Sequence, residues 1–327
     1  MQNRSLFFII IGIALAAAIG MILARAFMPT IGQSQVSIQV VVAPSLRPWV
    51  EQAALAFNQA NRGTQVEIIT ANSLIPTADF RTSTPQTILP AAWLAEASFI
   101  VEMARNDGLQ FGNAQSVASS TLAWGAYNDK FAQFNQGAAG ISWETLNEKA
   151  TQDRLKVVIA APKNTAEGIA SLISATAAHG ATQSISGSDA SAANQWLTDT
   201  LGDGNAVTPP TPAITFASVQ GRTIGDLGIL SMASWRGAKL DQRSDFTLSP
   251  VEPKVTLDYP FAIWTGSQLS AESQQAAAAF RDFLRSDSQQ RALANFYFEP
   301  ASSTNNGVQA DGSAAQRLLD WSNRELR

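Results

Sequence analysis

From Val36 onward the chain alternates between two hydrophobic periods. That alternation restricts it to folds in which helices cover a largely parallel sheet. Residues 36–43 (VSIQVVVA) are β-branched and apolar, as in a buried strand. Pro44-Ser45 breaks the run. Over residues 47–61, Trp49, Val50, Ala53, Ala54 and Phe57 then recur on one helical face. Residues 66–70 (VEIIT) read as a second strand, ending at Ala71-Asn72-Ser73. Strand, helix, strand implies a parallel pair with a right-handed crossover. The alternation continues with a strand at 88–92, a helix from Trp93 to Asn106, a strand over 116–126 and a helix over 141–150. A strand at 155–161 precedes a helix over 166–179, and 227–232 reads as another buried strand. Helices are expected at 194–201, 270–285, 288–296 and 313–326, with surface loops at 183–189 and 205–213. A chain of 327 residues is long enough for about two domains.

Composition removes much chemistry. Cysteine is absent, which excludes disulfides, thiolate catalysis and Cys-ligated metals. Only one histidine is present, His179, so a multi-His metal site is impossible. It precedes Gly180 at a predicted helix end, a place for a solvated or helix-capping base. There is no G-x-S-x-G, H-E-x-x-H or phosphate-loop motif. No catalytic residue, metal or cofactor is therefore expected, and the chain does not read as an enzyme. A net charge of -4 argues against nucleic acid as a partner.

Residues 6–24 form an unbroken apolar or small-residue run between Arg4 and Arg25. Its length nearly spans a bilayer core, so residues 1–30 read as an amino-terminal transmembrane anchor or an export signal. Ala24-Arg25-Ala26 fits a cleavage pattern; the length of the run favours an uncleaved anchor. Either way the body is expected on the extracytoplasmic side, after a linker at 31–35.

Open α/β sheets bind ligands just beyond the carboxyl ends of their strands. Ser45 and the Asn72-Ser73 pair occupy such places, which also suit ordinary caps and turns. Among the tryptophans, Trp49, Trp93, Trp196 and Trp321 fall at apolar helical positions. Trp124, Trp235 and Trp264 fall near strand ends, where lining a cleft and packing are both open.

Several segments together resemble the bacterial extracellular solute-binding proteins of the type 2 periplasmic-binding fold, the group that includes molybdate-binding-like receptors. Tyr259-Pro260-Phe261-Ala262-Ile263 resembles the family's "YP" entry into a strand. Residues 276–291 (AAAAFRDFLRSDSQQR) and 296–301 (FYFEPA) resemble its carboxy-terminal helix pair and the turn after it. Residues 141–146 (ISWETL) resemble an "ISWxDL" helix start, and APSLRPWVEQAALAFNQAN its first β–α unit. The resemblance implies two α/β lobes with a central cleft, residues 36–120 plus 255–327 forming one and 121–254 the other. By position it implies a ligand-binding set of Ser45, Asn72, Ser73, Trp93, Ser119, Ser120, Thr165, Glu167, Gly168, Ser231 and Ser234. Helix amino termini at Ser45 and Thr165 would offer N–H groups to an anion. Departures are also present. Ala91-Ala92 stand where the family often has an acidic residue before Trp93, and Glu299 stands where it has Arg.

The function implied is capture of a small molecule or oxyanion between the lobes, for an ABC-type transporter in the membrane. A sensory or protein-interaction module on the same fold, with a degenerate site, is the alternative.

Overall fold

The computed structural model describes residues 35–81, 89–135, 137, 140–152, 155–301 and 307–326. The apolar run at 6–24, with the anchor or signal expected of it, lies outside them. Among the described residues no helix is long and apolar enough to cross a membrane.

The chain first lays down β1 (Val36–Val42), α1 (Arg47–Ala60), β2 (Thr64–Thr70), α2 (Thr77–Arg81), β3 (Ala92–Leu94), α3 (Ser98–Asn106) and β4 (Gln115–Ser116). It then enters a second region through β5 (Ala118–Tyr127), α4 (Asn128–Phe134), α5 (Trp143–Gln152), β6 (Val157–Ile159), α6 (Ala166–Gly180) and β7 (Ser184–Ile185). Next come α7 (Gly187–Ala192), α8 (Asn194–Leu201), β8 (Ala206–Val207), α9 (Pro212–Ala217), α10 (Gly221–Ile224) and β9 (Leu227–Ser231). That region ends with α11 (Met232–Gly237), β10 (Phe246–Pro250) and β11 (Thr256–Leu257). The chain returns with β12 (Pro260–Ile263), α12 (Ala271–Leu284), α13 (Asp287–Ala292), β13 (Glu299–Pro300), β14 (Gln309–Ala310) and α14 (Gly312–Glu325).

These elements build two lobes, each around one sheet. The first sheet has the order β2-β1-β3-β12-β4. Its first three strands are parallel, and β12 runs antiparallel between β3 and β4. The second has the order β10-β5-β9-β6-β8, with β11 and β13 also paired to β5. The apolar face expected for α1 is the face it buries: Trp49, Val50, Ala53, Ala54 and Phe57. Phe57 meets Phe280 of α12 edge-on at 5.3 Å. In the second lobe Trp124 packs edge-on against Trp143 at 4.9 Å. Trp124, Trp235 and Trp264 are all buried, which resolves their two readings toward packing.

The terminal helix belongs to neither sheet alone. It packs on α3 of the first lobe and on α7 and α6 of the second. Its first N–H, at Gly312, donates to Glu102 Oε2 on α3 at 3.0 Å. Near its other end Trp321 Nε1 donates to Thr198 Oγ1 on α8 at 3.1 Å.

Several expected boundaries move. The third strand is Ala92–Leu94 rather than 88–92, and the helix after it starts at Ser98 rather than Trp93. Pairing of β3 with β1 and β12 overrides the helical propensity of WLAEA, and Asp258 caps the helix at Ser98, whose N–H donates to it at 2.7 Å. The stretch 183–189, expected as a loop, holds β7 and the start of α7. Ser186 and Asp189 form a capping box there, and β14 pairs alongside β7. Within 205–213 lie β8 and the start of α9, with Pro212 in its first turn.

Candidate functional site

Three strand ends of the first lobe meet at one edge. Ala43 N–H donates to Leu94 O at 2.9 Å, and Ala71 N–H to Val42 O at 2.9 Å. These bonds hold the loops after β1, β2 and β3 side by side. A single 3-10 turn, Pro44–Leu46, puts Ser45 at the surface of that edge. Beyond β3 comes Ala95-Glu96-Ala97, and the Glu96 side chain takes the Ser45 hydroxyl on Oε1 at 3.1 Å.

The other wall is the start of α6. Thr165 caps this helix, its hydroxyl accepting from Gly168 N–H at 3.2 Å. Gly168 lies so close to the end of β6 that a Cβ there would stand 2.3 Å from Ala160 O. That approach seats the helix amino terminus directly on the strand end. Its first N–H, at Ala166, donates across the cleft to Glu96 Oε2 at 2.8 Å. One carboxylate thus joins Ser45 of the first lobe to α6 of the second. A cavity of about 20 Å³ lies beside it, lined by Pro44, Ser73, Trp93, Glu96 and Asn164 among others. That is room for one water.

A second carboxylate continues the chain of contacts. Glu167 Oε1 accepts from Ser231 N–H at 2.6 Å and from Ser234 Oγ at 2.7 Å. Ser231 in turn caps α11. Asp258 plays the same part at α3, taking the N–H of Ser98, the Ser98 hydroxyl and the Ser116 hydroxyl. An anionic side chain is favoured at such places because unpaired N–H groups and the aligned peptide dipoles leave a helix amino terminus positive.

Electrostatically the cleft is acidic. Burial pushes Glu96 up to about 7; the charge of Glu167 adds to the rise, while Ala166 N–H and the Ser45 hydroxyl oppose it. Burial also raises Glu167, against the pull of Ser231 and Ser234. Burial raises the Tyr259 hydroxyl well above its ordinary value, reinforced by Glu96, Glu167 and Asp258. No Lys or Arg lines the small cavity.

The residues expected at a ligand site separate into two sets. Ser45, Ser73, Trp93, Thr165 and Glu167 come together around Glu96 and the cavity, Trp93 from within β3 rather than after it. Gly168 sits behind them as the packing point of α6. Ser231 and Ser234 are held by Glu167, and Ser120 by Ala233, whose N–H donates to its hydroxyl at 2.9 Å. Ser119 donates to Pro300 O at 2.8 Å, which ties β5 to β13. Asn72 is exposed on the loop after β2. The N–H groups expected to meet an anion at α6 are already taken at Ala166 and Gly168.

Sequence reasoning misses Glu96, Asn164 and Asp258. Glu96 falls three residues after Trp93, in a stretch whose sequence reads as helix. Asp258 stands one residue before the Tyr259-Pro260 pair, where nothing local marks a cap. His179 stacks on Trp196 at 5.1 Å at the exposed end of α6. Among the described residues no group of His, Asp and Glu could hold a metal ion.

Residues 38–299 match the family model described as "Bacterial extracellular solute-binding protein". The chain belongs to that family, whose members are binding proteins. No curated protein matches it. Solved structures that share the fold include the sulfate-binding protein SubI from Mycobacterium tuberculosis H37Rv. It is 16% identical, with a TM-score of 0.56, over 88% of this chain and 91% of that one. The Atu4243–GABA receptor is 14% identical, with a TM-score of 0.61, over 88% of this chain and 96% of that one. Maltose-bound MalE3 of T. maritima is 15% identical, with a TM-score of 0.55, over 82% of each chain. These titles name an oxyanion, an amino acid and a sugar, so the shared fold by itself names no ligand.

Proposed function

We propose that the protein is a solute receptor of an ABC-type transporter, capturing a small solute between its lobes on the extracytoplasmic side. The observation that carries this reading is the convergence of Ser45, Ser73, Trp93 and Asn164 with the head of α6 on one cleft between the strand ends. Open α/β folds place ligands at that edge. The lobes are taken as residues 36–120 plus 255–327 and 121–254, with α14 bridging them, and residues 1–30 as the membrane anchor. A small oxyanion, of the class named for SubI, is the ligand the cleft supports best. Its hydroxyl and N–H donors suit an acceptor-rich solute.

A thermal-shift panel on the full-length chain tests the receptor reading, using sulfate, molybdate, amino acids, sugars and polyamines at about pH 6 and about pH 8. Ligand at about 100 times its dissociation constant adds about 2.7 kcal/mol of stability, which moves the midpoint measurably. No shift with any solute at either pH would remove this reading. It would leave the second one, an interaction module, which the self-filled state of the cleft favours: Glu96 already occupies the α6 N–H.

A further inference from the structure

We infer that Glu96 is the specificity gate of this cleft: its carboxylate stands in for an oxyanion at the head of α6, and a free oxyanion enters only by displacing Glu96 in its protonated form. This rests on the receptor reading above and adds a rule for when capture occurs.

The geometry carries the inference. Glu96 comes from the first lobe and Ala166 from the second, yet Oε2 lies 2.8 Å from Ala166 N. Its other oxygen takes the Ser45 hydroxyl at 3.1 Å. The remaining early N–H of α6 that is accounted for, at Gly168, is held by Thr165 at 3.2 Å. The carboxylate thereby uses donors from both walls, as a bridging ligand would. The space beside it, about 20 Å³, takes a water and not a tetrahedral oxyanion. A free anion therefore competes with Glu96 for the same donors.

Charge then fixes the condition for displacement. The titratable groups near Glu96 are Glu167 from α6 and Tyr259 from the segment entering β12, whose N–H donates to Glu96 O at 3.3 Å; Asp258 adjoins Tyr259. All are acidic, and no Lys or Arg lines the cavity to offset a second negative charge. Placing an anion beside an ionised Glu96 sets like charges together in a desolvated cleft. A protonated Glu96 removes that repulsion and gives up its claim on the N–H. Its tendency to hold a proton near neutrality makes this neutral form available.

The test is calorimetric titration of the full-length protein with sulfate and with molybdate at about pH 6 and about pH 8. Sulfate keeps its charge over this range, so any pH dependence belongs to the protein. Wild type is expected to bind about tenfold more weakly at the higher pH, the factor for one required proton on a group titrating midway. Glu96→Gln keeps the shape, carries no charge, and is expected to bind equally at both. In nitrogen-15 labelled wild type without ligand, the Ala166 amide is expected to titrate with a midpoint near neutrality. This readout stands even if the variant fails to fold. Equal wild-type affinity at the two pH values, a Glu96→Gln variant that keeps the wild-type dependence, or an Ala166 amide indifferent to pH would each overturn the gate. If amino acids, sugars or polyamines bind while neither oxyanion binds wild type or Glu96→Gln, the gate falls and the receptor stands. If no solute of any class binds, both fall.

Discussion

Glu167, the second residue of α6, accepts the backbone N–H of Ser231 at 2.6 Å, so a side chain at one helix start fixes the end of β9 and the start of the next helix. The same oxygen also holds the Ser234 hydroxyl at 2.7 Å. Replacing Glu167 with Ala leaves both donors without this acceptor in a half-buried place. Hydrogen bonds to a charged group contribute about 1.5–3 kcal/mol each, and orphaned donors are costly. Glu167→Ala is expected to lose about 2–4 kcal/mol in urea unfolding. Glu167→Gln, which keeps an acceptor, is expected to lose less. Equal losses would show that the contact to Ser231 contributes little.

The raised pKa of Glu96 has a stability consequence of defined sign. Burial lifts the folded value to about 7 from an ordinary 4.5. Between those values the folded protein holds a proton that the unfolded chain has released. Stability therefore falls as pH rises from about 4.5 to about 7, and levels off above. Glu167, also raised, acts in the same sense. Scanning calorimetry of Glu96→Gln is expected to show a flatter decline across this window and a higher midpoint than wild type at about pH 8. An unchanged slope would contradict the assignment.

Gly168 sets two effects against each other. In a helix, Gly→Ala ordinarily stabilises by about 1 kcal/mol. Here the new methyl would stand 2.3 Å from Ala160 O and 2.7 Å from Pro162 N, both backbone atoms that cannot swing aside. Overpacking of this kind costs about 1–3 kcal/mol and wins. Gly168→Ala is expected to be destabilised, and to disturb the Ala166 contact with Glu96. A stabilised variant would mean that α6 can lift from β6 freely.

Trp321 tests the bridging helix. It is buried at 1% exposure and bonded to Thr198. Trp321→Ala is expected to cost about 3–5 kcal/mol by chemical denaturation, and Trp321→Phe about 1–2. A loss below about 1 kcal/mol for the Ala variant would show α14 to be loosely seated.

Much of the fold was legible in the sequence because it is written in short periods. The inward face of α1 and the terminal helix arise from residues within a turn or two of each other, and the parallel pairing of β1 with β2 follows from the strand–helix–strand order. The site was legible only in part. Ser45 and Ser73 stand just past strand ends, and Thr165 just before a helix, so a local search finds them. Glu96 and Asp258 escape such a search, since each caps a helix distant in sequence. Glu96 reaches Ala166 over 70 residues, and Asp258 reaches Ser98 over 160. No local propensity encodes a cap supplied from so far away. The misplaced start of α3 has the same origin, because the cap that fixes it at Ser98 comes from beyond the second sheet.

The seat of α14 on both lobes also bears on the order in which the molecule can be completed. The first sheet needs β12 between β3 and β4, so it stays unfinished until β5, β6, β8, β9 and β10 of the second sheet have been made. Even then Glu102 waits for Gly312, and Thr198 for Trp321. Local β–α units can form as the polypeptide emerges, but the two halves are tied together by a segment synthesised after both sheets. A chain stalled short of α14 would hold most of its secondary structure without the strap that spans its two halves.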